Sequence, residues 1–567
     1  MNRNSMIIIL GVTILFLGAG CGQKRRTALL SDEVVNTAME EIRPEAMRAH
    51  IRFLADDLLE GRGTATRGYQ LAANYVAAHF EALGLEPAGV DGTFSQPVPL
   101  RKVDLEPGMS SMSLSRNGRT LTLTYAEDYL LDTWLANNFQ DAETSVTAPV
   151  VFAGYGVTAP ELDYDDYANV DVRGKIVALF DFAAPASFPD NQRAYYASYS
   201  VKAQNAADHG AVGILTFMRP QDAELWPWDW SVPKFKRGSL CWLDESGAPQ
   251  SLSGVIPEIR ARVLLNHSGA LALFADASHS LDEVFAAAEE GSLYYFDLPV
   301  EANVETVTRH TAMDCANVAA MLPGSDPVLR NEYVVYTAHL DHLGVGEPVE
   351  GDAIYNGAYD NASGIAALME VARAFSDLPK PPLRSMVFVA VTGEEFGLVG
   401  ADYFAHYPTV PADQIVANIN IDEVAIWYDP LDVVAYGSEH STIAHAVKNA
   451  ATRLGVEISP DPMPEECFFI RSDQYAFVCQ GIPAVWVAAG TETGDPELDG
   501  EAIMSDWLQT RYHTPKDDFD QPIDFGAAAE HARLCFLIGH EVASNPERPA
   551  WTPGDFFGEK FGRRGGE

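Results

Sequence analysis

The stretch YVVYTAHLDHLG, residues 333–344, decides the fold, because it joins a buried strand to a cluster of histidine and acidic side chains. Its first six residues carry no charge and predict a strand covered on both faces. The same design recurs further along the chain: strands are predicted at 384–391, 415–421 and 483–488, and helices at 361–378, 441–454 and 525–542. Alternating strands and helices predict an α/β fold, with a mixed central sheet and helices on both faces.

Side chains that can bind metals follow these strands. Glu394 and Glu395 come directly after one strand, Asp422 ends the next, Asp360 precedes a helix, and His513 lies near the C-terminus. Each alone has an ordinary explanation, such as a solvated Glu-Glu pair or an aspartate that caps a helix. Their coincidence at strand exits, where open α/β sheets place their sites, favours function. Imidazoles together with carboxylates predict a site for a divalent metal.

These segments resemble peptidase family M28, the zinc aminopeptidases with two co-catalytic metal ions. The shared motifs are His-x-Asp-His-x-Gly from residue 339, Asp-Asn-x-Ser-Gly from 360, Thr-Gly-Glu-Glu-x-Gly-Leu-x-Gly from 392 and Asn-x-Asp from 420. The resemblance covers about 315–545 together with about 45–90, where the loop EGRGT (60–64) follows a helical segment. It implies the fold of zinc-dependent exopeptidases, which is phosphorylase/hydrolase-like.

The resemblance also implies two Zn²⁺ ions per chain and a ligand set. His339 and Asp422 would bind one zinc, Glu395 and His513 would bind the other, and Asp360 would bridge both. Three carboxylates and two neutral imidazoles suit two such dications.

Two further residues receive catalytic roles from the resemblance. Glu394 would be the general base; because it adjoins Glu395 in extended chain, the two side chains point apart and can face different partners. Asp341 would accept a hydrogen bond from the proton-bearing nitrogen of His339 and fix its tautomer.

The sequence departs from the family pattern at one position and is ambiguous at others. Gln474 stands where the family usually has histidine, within a segment expected to line the specificity pocket, so substrate preference is open. Glu423 follows Asp422 and is an alternative ligand, although the Asn-x-Asp spacing favours Asp422. His342 is expected to be structural.

Residues 145–300 resemble a protease-associated (PA) domain, a β-rich module inserted into secreted peptidases. Gly-Tyr-Gly at 154–156, Asp-Asp-Tyr at 165–167 and Gly-Lys-Ile-Val at 174–177 carry this resemblance. Trp226, Trp228 and Trp230 within it could engage substrate or pack under a loop. The predicted organisation is a leader at 1–21, an N-terminal part of the peptidase domain at 32–140, the PA domain at 145–300, the catalytic domain at 301–545 and a flexible tail at 546–567.

The N-terminus is typical of an exported protein. Arg3 precedes an apolar run of about fifteen residues, which is the length of a signal-peptide core rather than a membrane span. The run ends at Gly20-Cys21-Gly22, which resembles a lipoprotein lipobox, with Gly18 in place of the usual aliphatic residue. The protein is expected outside the cytoplasm, either lipid-anchored through Cys21 or secreted.

The charge and the cysteine content of the chain exclude some functions and some kinds of metal site. The chain has 80 acidic and 38 basic residues in 567, a formal net charge of -42, so binding to nucleic acid is not expected. The six cysteines show no CxxC spacing and therefore no cysteine-based zinc site. Cys467 and Cys479 could form a disulfide or remain as two thiols.

The sequence therefore predicts an extracytoplasmic zinc exopeptidase that acts on peptides, with an aminopeptidase favoured. A carboxypeptidase, a dipeptidase or a glutaminyl cyclase-like enzyme remain alternatives, and a non-catalytic binding protein on the same fold is a weaker one. The preferred terminal residue and the oligomeric state stay open.

Overall fold

The structure is a computed structural model that describes residues 30–133 and 139–562. The helices in these residues are α1 (Asp32–Glu40), α2 (Pro44–Leu54), α3 (Arg67–Ala82), α4 (Asp190–Ala197), α5 (Tyr199–Asp208), α6 (Pro220–Leu225), α7 (Trp228–Lys236), α8 (His267–Phe274), α9 (Leu281–Glu289), α10 (Gly364–Ser376), α11 (Val399–His406), α12 (Ile443–Leu454), α13 (Gln474–Cys479), α14 (Gly500–Thr510), α15 (Phe525–Ser544) and α16 (Phe556–Phe561).

The strands alternate with these helices. They are β1 (Glu86–Pro87), β2 (Ser95–Leu105), β3 (Ser111–Arg116), β4 (Arg119–Thr122), β5 (Tyr129–Leu131), β6 (Glu143–Phe152), β7 (Thr158–Ala159), β8 (Tyr164–Asp165), β9 (Ile176–Phe180), β10 (Gly213–Phe217), β11 (Ser239–Leu243), β12 (Pro249–Gln250), β13 (Arg262–Leu265), β14 (Phe296–Leu322), β15 (Tyr333–His339), β16 (Gly344–Val349), β17 (Asp352–Tyr355), β18 (Ser385–Val391), β19 (Ile415–Asn420), β20 (Asp432–Tyr436), β21 (Glu457–Ile458) and β22 (Ala484–Ala489).

The central sheet is mixed, as predicted. β15 lies between β18 and β19 and is parallel to both, and β22 continues the parallel set beyond β19. β14 and β20 flank this set in antiparallel pairing with β18 and β22. The four strands predicted from the sequence are present, and their carboxyl ends meet at one edge of the sheet.

Helices cover both faces of this sheet. Val334 and Tyr336 of β15 pack into a core shared with α2, α10, α12 and α15. Val335 points the other way, into a core that contains Phe404 of α11 and Phe477 of α13. This alternation is the period of two that a doubly covered strand requires. The predicted α/β fold is confirmed.

A long strand connects the central sheet to a second one. The first half of β14 pairs with β3 and β6, and β6, β9, β10 and β13 form a parallel run closed by β5. The second half of β14 pairs with β2 and β18 of the central sheet. The two sheets are therefore joined through one continuous strand.

This division differs from the predicted boundary near residue 145. β3, β4 and β5 precede that boundary but pair within the second sheet, whereas β11, from the predicted insert, pairs with β2 of the central sheet. Strand pairing between distant segments mixes the two parts. The domain boundaries and the PA assignment remain predictions.

The C-terminal residues 546–562 differ from the predicted flexible tail. They contain α16, whose Phe557 is fully buried and contacts the rings of His440 and Phe469 at centroid distances of 4.7 and 4.9 Å. The Pro and Gly content of this segment predicted a loose tail, although one side of the segment is apolar and packs against the residues around His440 and Phe469.

Other predictions concern single residues. Cys467 and Cys479 are free thiols, so the disulfide alternative is wrong. The leader, including Cys21, lies outside the described residues, as do residues 563–567 of the tail. Within 30–133 and 139–562, no helix is long and apolar enough to cross a membrane.

Candidate metal centre

The candidate site forms where three parallel strands end. β15 ends in His339, β18 is followed by Glu394 and Glu395, and β19 is followed by Asp422. Parallel strands place their carboxyl ends at one edge, so side chains far apart in sequence converge there.

Asp360 enters from the turn before α10. The backbone of Asp360 and Asn361 is not helical, so α10 begins at Gly364 rather than at 361. This turn brings the Asp360 carboxylate to the strand ends. Asp517 fixes it there, because its carboxylate accepts the backbone N–H groups of Tyr359 and Asp360 at 2.9 and 3.0 Å.

The five predicted ligands lie together, with Asp360 in the middle. His339 Nε2 is 3.1 Å from Asp360 Oδ1 and 3.2 Å from Asp422 Oδ1. The other oxygen, Asp360 Oδ2, is 3.2 Å from His513 Nε2, which is also 3.2 Å from Glu395 Oε2. Two groups of nitrogen and oxygen donors thus share one carboxylate.

His342 belongs to the second group as well. Its Nδ1 lies 2.6 Å from Glu395 Oε1 and 3.7 Å from Asp360 Oδ2. His342 is fully buried, and neither of its ring nitrogens has an aligned hydrogen bond within the described residues. The sequence assigned it only a structural part. The structure places it closer to Glu395 than His513, at 2.6 against 3.2 Å.

The arrangement fits divalent cations. Glu395 Oε1 and His342 Nδ1 are buried atoms without a hydrogen-bond partner in the described part of the chain, as donors aimed at a metal would be. His339, Asp360 and Asp422 form one compact group, and His342, Asp360 and Glu395 form another. Two groups of ligands that share one carboxylate suit a pair of divalent ions such as Zn²⁺.

The pKa shifts of two acids in the site are also typical of a functional site. Burial opposes ionisation of Asp360, but His342, His339 and His513 outweigh it and hold the pKa of this carboxyl well below its usual range. Burial, reinforced by the charges of Glu395 and Asp422, raises the pKa of Glu394 well above its usual range. Two neighbouring acids are thus driven in opposite directions, which is typical of catalytic sites.

Asp341 acts differently from the prediction. His339 Nδ1 lies 3.0 Å from the backbone carbonyl oxygen of Asp341, not from its carboxylate. The carboxylate instead accepts hydrogen bonds from Thr64 Oγ1 at 2.8 Å and from the backbone N–H of Glu394 at 3.2 Å. Asp341 thus presents its carbonyl oxygen to the ring nitrogen of His339 and its side chain to Thr64 and Glu394. Asp341 therefore orients both His339 and Glu394.

Arg62 supports the site and was not identified from the sequence. This fully buried guanidinium donates to four backbone carbonyls, those of Leu54, Leu340, Asn356 and Gly357, at 2.6 to 3.0 Å. These carbonyls belong to three segments around the metal ligands. A charged residue between Gly61 and Gly63 is the signal that could have revealed it.

The segment of Gln474 lines the pocket, as predicted, but not through Gln474 itself. Gln474 is buried behind the site, where its Oε1 accepts from Asn420 Nδ2 at 3.2 Å. Its neighbours Arg471 and Ser472 do line the pocket, and Ser472 Oγ donates to Asp422 Oδ2 at 2.5 Å. The residue that replaces the family histidine therefore supports a ligand strand rather than the pocket wall.

A pocket opens over these donors. Its acidic floor carries Asp360, Glu394, Asp422 and Glu423, and its wall is mostly aromatic and apolar. The wall residues are Phe468, Trp486, Leu508 and Tyr512.

Comparison with known proteins agrees with this geometry. Residues 317–538 match the model of peptidase family M28. This segment is an M28 peptidase domain. It contains all the donors described above.

Relatives of the M28 domain are known. The chain is 28% identical over 262 residues to Aminopeptidase NAALADL1 of Rattus norvegicus, covering 39% of this chain and 33% of that protein. It is 28% identical over 177 residues to Leupeptin-inactivating enzyme 1 of Streptomyces exfoliatus, covering 31% and 36%. The chain thus spans about a third of the length of these curated relatives.

A solved structure extends the likeness of fold beyond the M28 domain. An aminopeptidase from Aneurinibacillus sp. strain AM-1 aligns with 91% of this chain and 97% of its own, with a TM-score of 0.51 and 19% sequence identity.

Proposed function

We propose that the protein is a zinc-dependent aminopeptidase that hydrolyses the N-terminal residue from peptides. The observation that carries this proposal is the single carboxylate, Asp360, that lies between two groups of donors with Glu394 beside them. His339 and Asp422 would hold one zinc, and Glu395 with His513 the other. His342 is the further donor that the second zinc could take.

The chain's own residues account for the rest of the chemistry. Bound zinc ions would lower the pKa of a shared water and polarise the scissile carbonyl. Glu394 takes a proton from the attacking water at its carboxylate and returns it to the departing amine. The Asp341 carboxylate holds the Glu394 backbone in place, and the apolar wall excludes bulk water from the carboxyl group.

The charge of the pocket favours an aminopeptidase over a carboxypeptidase. Beyond the proposed ligands and Glu394, the charged residues of the pocket are Glu423 and Arg471, and Arg471 is already paired with Glu466 at 2.8 Å. Burial together with Asp360 and Asp422 raises the pKa of Glu423 well above its usual range. An ammonium group at that point would supply the missing positive charge. A carboxylate terminus would add to the repulsion.

The test is a panel of peptides with and without a chelator. We expect Leu-Ala-amide with a free amine to be cleaved, N-acetyl-Leu-Ala-amide to be resistant, and activity to disappear on chelation and return with zinc. Cleavage of the N-acetylated peptide alone would overturn the aminopeptidase assignment. Cyclisation of an N-terminal glutamine would favour the cyclase alternative.

We further propose that the protein acts outside the cytoplasm, anchored by a lipid on Cys21 or secreted. The support is the apolar run that ends at Cys21. Labelled fatty acid should be incorporated into the wild-type chain and not into Cys21→Ser. Unlabelled wild-type protein in the medium would support secretion instead.

A further inference from the structure

A second cluster of metal-binding side chains lies between three helices and shares no residue with the catalytic metal centre. His50 comes from α2, His79 from α3 and Glu370 from α10. The ligand atoms of these three residues all lie within 4.8 Å of one another. Both histidines lie outside residues 317–538, which match the M28 family. The proposed hydrolysis uses none of the three residues.

The facing atoms of this cluster are not joined by close hydrogen bonds. His79 Nε2 is buried and has no hydrogen-bond partner within the described residues. His50 Nε2 lies 3.6 Å from Glu370 Oε1, which is longer than a hydrogen bond. It is close to the separation of about 3.3 Å between two ligands of a tetrahedral zinc ion, whose bonds to nitrogen and oxygen are about 2.0–2.1 Å long.

The other polar atoms of two of these side chains are held by neighbouring residues. His50 Nδ1 is 2.8 Å from Tyr75 Oη, and this contact directs Nε2 toward Glu370. Arg373 Nε donates to Glu370 Oε2 at 3.1 Å, which leaves Oε1 on the side of His50. Metal ligands are commonly oriented in this way, with the second atom of the ring or carboxylate fixed by a hydrogen bond.

The charge states of the cluster also suit a bound cation. Burial and the charge of His50 lower the pKa of His79 to about 4, so its imidazole is neutral at neutral pH, as a metal ligand must be. Burial opposes ionisation of Glu370, but His50 and Arg373 outweigh it and lower the pKa of this carboxyl. Arg373 is the neighbouring cation, and Asp377 pairs with it at 2.7 Å.

We propose that His50, His79 and Glu370 bind a structural divalent ion of the zinc type, which joins α2 and α3 to α10. Two imidazoles and one carboxylate are a ligand set that Zn²⁺ accepts, with water in the fourth position. His79 is partly exposed, so an ion can enter from solvent.

The ion would connect the N-terminal helices to the support of the catalytic centre. α10 begins directly after the turn that carries Asp360. α2 ends at Leu54, whose carbonyl oxygen accepts from the buried guanidinium of Arg62. The role is structural, so the inference does not depend on the proposed aminopeptidase function.

The first experiment measures zinc content by elemental analysis after equilibration in a zinc buffer. We expect the wild-type protein to hold one zinc ion more per chain than His79→Gln, which loses the Nε2 donor. His267→Gln, at an exposed histidine of α8, is the matched control and should hold as much zinc as the wild type. The comparison is a difference, so it does not depend on the number of ions in the catalytic centre. Equal zinc content in wild type and His79→Gln would overturn the site.

The second experiment isolates this site from the catalytic centre. Asp360→Asn removes the carboxylate shared by the two catalytic donor groups, and added zinc should still raise its Tm because the ion binds only the folded chain. The rise should be absent when His79→Gln is added, and Mg²⁺, which prefers oxygen ligands, should not replace zinc. Absence of a zinc-dependent rise in Asp360→Asn, or an equal rise in the double variant, would overturn the inference and leave the proposed function in place.

Discussion

Two adjacent glutamates illustrate how the site assigns different chemistry to the same side chain. Glu395 faces His342 and His513, whereas Glu394 faces the pocket and has its backbone N–H held by Asp341. Burial together with the neighbouring anions raises the pKa of Glu394, which suits a group that must accept and then release a proton.

Glu394→Gln is expected to lower kcat by a factor of about 10² to 10⁴, because the amide cannot accept the proton of the attacking water. Zinc content should stay at the wild-type value, since Glu394 is not among the proposed ligands. Elemental analysis and steady-state kinetics on the same preparation give both quantities. Asp360→Asn is the contrast: it should lose metal together with activity. Near-normal turnover of Glu394→Gln would remove it from the base role.

Arg62 offers a second prediction at this scale. Arg62→Met leaves the carbonyls of Leu54, Leu340, Asn356 and Gly357 buried without their donor. We expect the free energy of unfolding to fall by about 3–5 kcal/mol, measured by urea denaturation. Arg52→Met, at an exposed arginine of α2, should change it by less than about 0.5 kcal/mol. Equal effects of the two substitutions would contradict the role of Arg62 in holding these four carbonyls.

At the scale of elements, α16 shows how a short terminal helix is held. Phe557 is its buried anchor, in contact with His440 and Phe469, and Asp555 accepts from the backbone N–H of Gly558 at its N-terminus. His440 Nδ1 lies 2.6 Å from Asp555 Oδ2, which ties the helix to the central domain.

Phe557→Ala should therefore lower the free energy of unfolding by about 3–5 kcal/mol, as expected for deletion of a buried aromatic ring. Phe561→Ala, at a partly exposed position of the same helix, should cost clearly less. Thermal and urea unfolding of the three proteins measure the difference. A Phe557 variant as stable as the wild type would show that residues 546–562 do behave as a loose tail.

At the scale of the whole molecule, the sequence predicts features that depend on one segment of the chain. It does not predict features that depend on contact between two distant segments. The strands at 333–338 and 384–391 could be predicted because each is a run of mostly apolar residues. The site residues could be predicted because they directly follow such runs. The role of Arg62 could not, since its acceptors lie 8 to 295 residues away along the chain.

The same reason explains the other differences. The segment of Gln474 was expected to line the pocket; Arg471 and Ser472 do so, whereas Gln474 lies behind Asn420, because the sequence does not show which side of a loop is buried. β3 and β11 pair across the boundary predicted near residue 145. Which of His342 and His513 completes the second donor group depends on distances that only the folded chain defines.

The last prediction concerns acid stability. His531 of α15 is buried, with Nδ1 accepting the backbone N–H of Ala425 at 3.3 Å, and burial lowers its pKa from 6.5 to about 4. The unfolded chain then binds the proton more tightly than the folded chain does. The stabilisation is fully present above pH 6.5 and is lost as the pH falls toward 4.

Between pH 7 and pH 5, this one histidine should lower the free energy of unfolding by about 2 kcal/mol. In His531→Gln this contribution is absent, so the stability difference between wild type and variant should shrink by that amount over the same interval. Urea denaturation at both pH values measures it, with the exposed His445→Gln as the matched control, whose difference from wild type should stay constant. A His531→Gln difference that is equally constant would mean that the buried ring does not govern this part of the acid response.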